Sequence, residues 1–93
     1  MFILPSELTI AKAESFRESV LEYVNTHDTI VFDDSEVIKV DTIGAQLLLS
    51  VVVFISTQNK PFQWQHHSEV IKETINKLGI NDPILTQHLN SQH

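Results

Sequence analysis

The sequence predicts a small α/β domain: a mixed, mostly parallel sheet of four to five strands, with three or four helices packed mainly on one face. Three observations carry this. The 93 residues suffice for one modest core. Short β-branched or aromatic runs alternate with amphipathic segments, and such alternation implies parallel pairing through right-handed crossovers. With 42% apolar and 19% charged residues, the composition is that of a folded chain rather than a disordered one.

Each element has a local reason. Phe2–Leu4 is a short apolar run ended by Pro5, as expected of an edge strand. Ser6–Ile10 holds a second short strand or turn, with Thr9 available to cap the next helix. From Ala11 to Val24 the period is helical: Ala13, Phe16, Val20 and Val24 share one face, with Leu21 and Tyr23 at its margins. Glu14, Glu18 and Glu22 mark the opposite, solvated face, and Asn25–Asp28 breaks the helix. Thr29–Asp33 reads as a buried strand. Ser35–Asp41 is a loop whose Val40 docks on the core.

Ile43–Gln58 carries β-branched residues but is too long for a strand in so small a domain, so helix is expected. Asp41 or Thr42 offers its N-cap oxygen. Ala45, Leu48, Leu49, Val52, Ile55 and Ser56 form its inner face; Gln46, Ser50 and Thr57 form a polar strip. Phe62–Gln65 alternates as a half-buried strand. Ser68 caps a helix through Leu78, with Ile71, Ile75 and Leu78 inward, Gly79 as its left-handed terminus and Ile80 closing the cap. Asn81–Pro83 is a turn. Residues 1–86 are expected to form the single domain and 87–93 a polar, frayed tail.

Composition excludes several functions. Without cysteine there is no disulfide, thiolate nucleophile or Cys-based metal site. Two glycines cannot build a glycine-rich phosphate loop. Twelve acids oppose six bases, and residues 1–46 hold nine of those acids against three bases. An acidic chain without a basic patch is not expected to bind nucleic acid or anionic membrane. The apolar window around Leu47–Ile55 is too short to span a bilayer, and Met1–Ile10 lacks the features of a secretory signal, so a cytoplasmic location is expected without membrane insertion.

Catalytic and metal signals are weak. His66 and His67 are adjacent and would diverge on a strand; His27, His88 and His93 lie in polar breaks or the tail, and all five read as exposed loop histidines. Asp33 reads as holding loop amides at a strand end, with Asp34 solvated. No serine stands in a nucleophile elbow. No enzyme activity, cofactor or metal is expected. Trp64 reads as a core residue, with a partner anchor as the alternative.

The turn Val40–Gly44 is the most informative spot. It leads into a helix N-terminus, whose free amides and dipole favour an anion. Gly44 would let another backbone approach. Ile43, Leu47, Val51 and Phe54 recur as a stripe beside it, a binding patch if exposed and core if buried.

The ordered set TIVFDDSEVIKV, Asp41-Thr42-Ile43-Gly44, AQLLLSVVVF, FQWQ and Leu78-Gly79-Ile80 resembles the STAS domain, the fold of anti-sigma-factor antagonists and of sulfate-transporter tails. The resemblance implies a non-enzymatic protein-interaction module of bacterial signalling. Its partner surface would be the turn and following helix: Asp41, Thr42, Ile43, Gly44, Leu47 and Val51. In phosphorylatable members the residue before the glycine takes the phosphate; here it is Ile43, without a hydroxyl, which leaves Thr42 as the candidate phosphoacceptor. Gln46-Leu47-Leu48-Leu49, Lys60-Pro61-Phe62-Gln63-Trp64 and Ser68 resemble the chemotaxis-associated branch. A second branch, the STAS subunit of phospholipid-transport ABC complexes, shares the Asp-Thr-x-Gly turn. The partners implied are a signalling kinase or adaptor, or a transporter ATPase, with a homodimer also compatible.

Overall fold

A computed structural model describes residues 1–90, with side-chain surroundings through residue 87. The elements are β1 (Phe2–Ile3), β2 (Glu7–Leu8), α1 (Ala13–Thr26), β3 (Ile30–Asp33), β4 (Lys39–Val40), α2 (Thr42–Ser56), β5 (Phe62–Gln65), α3 (Glu69–Lys77) and α4 (Pro83–Asn90). This is the expected α/β architecture with one refinement. The described strands form two parallel units, a three-stranded sheet in the order β1-β3-β5 and a separate β2-β4 ladder. Pro5 stands between β1 and β2; it has no amide to donate, and the chain leaves the first unit there and enters the second. The segment read as a loop before Asp41 supplies β4, paired with β2 as Glu7↔Lys39 and Leu8↔Val40.

The three-stranded sheet is half buried because its side chains alternate. Registers Phe2↔Phe32, Ile30↔Phe62 and Phe32↔Trp64 gather aromatic and aliphatic groups on one face. Phe32 lies at its centre, with ring centroids 5.6 Å from Phe2, 5.2 Å from Phe62 and 6.2 Å from Trp64. Phe16 and Tyr23 of α1 pack on Phe2 over this face. The opposite face carries Val31, Asp33, Gln63 and Gln65 and stays partly open. Trp64 is buried and belongs to the core.

Helix ends show what local chemistry decides. Asp41 caps α2 and Ser68 caps α3, the latter accepting from the Ile71 amide while its hydroxyl donates to the Val37 carbonyl. Gly79 takes φ 70°, and the Ile80 and Gly79 amides bond back to Ile75 and Asn76, closing α3 as anticipated. Thr9 does not cap α1: its backbone carbonyl receives the Lys12 amide, and Lys12 supplies no side-chain cap. Leu78 is not an inward residue, because the helix ends at Lys77 and leaves it 39% exposed. Ser56 is likewise exposed at the end of α2.

Pro83, read as part of a turn, and the stretch from Gln87 to Asn90, read as frayed tail, belong instead to one helix, α4. Asp82 accepts the Ile84 and Leu85 amides at 3.0 Å each, Pro83 occupies the first helical position, and Leu85 is fully buried. Cap and burial together hold a short polar helix that composition alone does not suggest. Residues 91–93, including the expected tail residue His93, and the side chain of His88 lie outside the described residues.

Candidate functional site

The parallel β2-β4 ladder brings the starts of α1 and α2 to one end of the molecule. Val40 lies beside Leu8, and the Asp41 amide donates to the Leu8 carbonyl at 3.1 Å. Gly44, one turn into α2, sits against that same carbonyl, and a Cβ at position 44 would run into it. The glycine thus permits the close helix–strand approach expected of it.

Asp41 binds this corner together. One carboxylate oxygen accepts the Gly44 amide at 2.8 Å, and the other accepts the Ile10 amide at 2.9 Å. These two amides, Gly44 first, hold its carboxyl below the usual carboxylate range. The anion favoured at the α2 N-terminus is therefore supplied by the chain itself. Of the backbone donors expected to attract an external phosphate, the Gly44 amide is taken by the Asp41 side chain and the Ala45 amide by its carbonyl.

The remaining predicted site residues differ in exposure. Thr42 is exposed, and Ile43 is 43% exposed. Leu47 is half-buried, whereas Gly44 and Val51 are buried. Of the stripe, Ile43 reaches solvent, Leu47 and Phe54 are partly covered, and Val51 is core. The structure adds Ile10, 70% exposed and held next to the turn by its bond to Asp41. Nothing local in Ser6–Ile10 identifies it; only the β2-β4 pairing does. The surface at this corner is thus a hydroxyl, Thr42, flanked by two exposed isoleucines.

A second polar constellation lies at the end of β3 and overturns two expectations. Asp34 is not solvated but fully buried. It accepts Trp64 Nε1 at 3.1 Å, His66 Nδ1 at 2.6 Å, and the amides of His67 and Ser68. His66 is accordingly no exposed loop histidine; its side chain is 7% exposed. The pairing of β3 with β5 places Asp34 opposite the chain that leaves β5, and there the backbone and ring donors converge. Burial pushes the Asp34 carboxyl up, but the bonds from His66, His67 and Ser68 outweigh it and keep the carboxyl below its ordinary value. Asp33 behaves as read, accepting the Ser35 amide at 2.8 Å. His27 is exposed and stacks on Tyr23, and His67 is exposed beside the Asp34 cluster.

Comparison with known proteins addresses the whole arrangement. The family model described as "Mlab, STAS domain" matches residues 3–87.

The chain belongs to the STAS family.

The match runs from β1 into α4, so the STAS fold and the parallel β–α order described above coincide. At this level the chain is a STAS interaction and regulatory module, of a family whose domains are generally non-enzymatic. No curated protein and no solved structure matches it. Among the described residues no helix is long and apolar enough to cross a membrane.

Proposed function

We propose that this STAS domain is a non-enzymatic adaptor of bacterial cytoplasmic signalling that binds a protein partner through the 41–44 turn and the first turns of α2. One observation carries the reading: Asp41 takes the Gly44 amide with its side chain and the Ala45 amide with its carbonyl, so the corner presents Thr42, Ile43 and Ile10 outward rather than an anion pocket. Exposed apolar groups around a small hydroxyl suit a protein contact, where the apolar groups contribute area and the hydroxyl sets register. Leu47 extends this surface along α2; Gly44 and Val51 act from inside, by setting the helix position. Asp41 shapes the turn. Thr42 is the hydroxyl through which a kinase would regulate the contact, since a phosphate there would bring charge between two isoleucines.

The test is an affinity capture from native lysate with wild-type and Thr42→Glu baits side by side, read by mass spectrometry. A signalling kinase or chemotaxis component lost from the variant supports the adaptor. An ABC ATPase and permease lost from the variant would instead make the chain a lipid-transport subunit that uses the same turn. Partners captured equally by both baits would sink the turn as the contact.

A further inference from the structure

Beside the turn, α1 and α2 leave an open groove of about 280 Å³ lined by Arg17, Leu21, Leu47, Ser50, Val51 and Phe54. The α2 wall repeats at i, i+3, i+4 and i+7, the spacing of one continuous helix face. The α1 wall is the i, i+4 pair Arg17 and Leu21. The groove is smaller than the roughly 300–1,000 Å³ of pockets that enclose drug-sized ligands. Lying open between two helices, it suits a row of side chains instead.

The two banks differ in charge. Helix α2 contains no charged residue over its whole length. Helix α1 carries Glu14, Glu18 and Glu22, all exposed. Glu14 neighbours the groove residue Arg17 and Glu18 neighbours Leu21, each at i, i+3 on the helix surface. Two carboxylates, Glu14 and Glu18, therefore border this bank beside one guanidinium, within a chain of net charge −6, while Glu22 lies on the other flank of α1 with Ser19 and Tyr23. An occupant must match an apolar floor, a neutral bank and an acidic bank.

We propose that the α1–α2 groove docks a cationic amphipathic helix of a partner protein, with its apolar ridge on Leu21, Leu47 and Phe54 and its basic flank along Glu14 and Glu18. Helix-in-groove recognition uses this combination: apolar anchors one turn apart supply the contact, and flanking charge supplies orientation and association rate. The proposal rests on the reading of this chain as a protein-binding module and gives the partner its chemistry.

The probe is a synthetic helical peptide of about five turns with a leucine ridge flanked by lysines. It is compared with a glutamate-flanked analogue and with a scrambled peptide of the same lysine and leucine content. Amide shift mapping and fluorescence anisotropy report site and affinity. The expected result is saturable binding of the lysine-flanked helix, with shifts at Leu21, Leu47, Ser50 and Phe54. Affinity should fall about tenfold in Glu14→Lys/Glu18→Lys, whose changes are on an exposed face, and should weaken as salt rises from about 50 to 300 mM. Equal binding of the scrambled or glutamate-flanked peptide, shifts outside the groove, or unchanged affinity in the double variant would each overturn it. So would a concentration-dependent dimer, without peptide, whose shifts map to the groove, since a second copy would then be the occupant. Peptide affinity is measured on the purified domain and needs no partner at the 41–44 turn. Failure of the turn contact in lysate capture is thereby separated from failure of the groove.

Discussion

Asp34 and Asp41 invite direct comparison. Each directly follows a strand of a parallel pair, and each carboxylate accepts backbone amides from the chain around it. Their surroundings differ. Asp34 is fully buried and gathers four donors from Trp64, His66, His67 and Ser68, so it ties β3 to β5 and to the start of α3. Asp41 is half-exposed and gathers Gly44 and Ile10, so it ties α2 to the end of β2 and leaves Thr42 outside. The same side chain in the same local context locks the fold in one place and shapes a surface in the other. The difference lies in how much water each carboxylate retains.

This contrast can be broken experimentally, starting at Asp34. Asp34→Ala removes the carboxylate that accepts from the indole N–H, an imidazole and two amides, and should cost about 3–5 kcal/mol in chemical denaturation. Trp64, the chain's one tryptophan, should report the change by its fluorescence. The acid limb of stability should follow the same group. The folded Asp34 carboxyl lies below its ordinary value, so its contribution is complete above about pH 4 and is lost as pH falls through the lowered value. Asp34→Asn should be less stable at neutral pH and show a shallower loss as pH falls below about 4. An unchanged acid slope would deny Asp34 this role.

Gly44→Ala comes next, at about 2–3 kcal/mol, because its added carbon meets the backbone carbonyl of Leu8 and not a movable side chain. Asp41→Ala should lower Tm by roughly 5 °C through loss of the cap, whereas Asp41→Asn, with one acceptor oxygen, should recover the Gly44 bond but not the Ile10 bond. Thr42→Glu should be the mildest for folding, within about 0.5 kcal/mol of wild type by denaturant titration. A large stability loss in Thr42→Glu would mean the turn residue is structural and would collapse the distinction between the two aspartates.

Much of the candidate site was legible because its signals are local. The Asp41 cap and the close approach at Gly44 are written within a few residues of α2. Ile10 was not legible, since its place beside Thr42 depends on a ladder that pairs Glu7 with Lys39 and Leu8 with Val40, far apart in the chain. The Ile43–Phe54 stripe could be read but not apportioned. Whether Val51 is core and Ile43 surface depends on where α1 lies against α2. The helix at Pro83 had a legible start, the Asp82-Pro83 pair, but its polar composition concealed how much Leu85 gains by burial.

Local chemistry alone therefore determined the order of the main strands and helices, the caps at Asp41 and Ser68, and the left-handed stop at Gly79. Each depends on side chains and amides only a few residues apart, whose geometry short chain segments already constrain. Only the tertiary structure decided that five strands part into two ladders, that Asp34 is buried with His66, and that an acidic helix and an uncharged one share a groove. These features join residues distant in the chain. Burial and charge act through space, and the same carboxylate is solvated or enclosed according to what the fold brings to it.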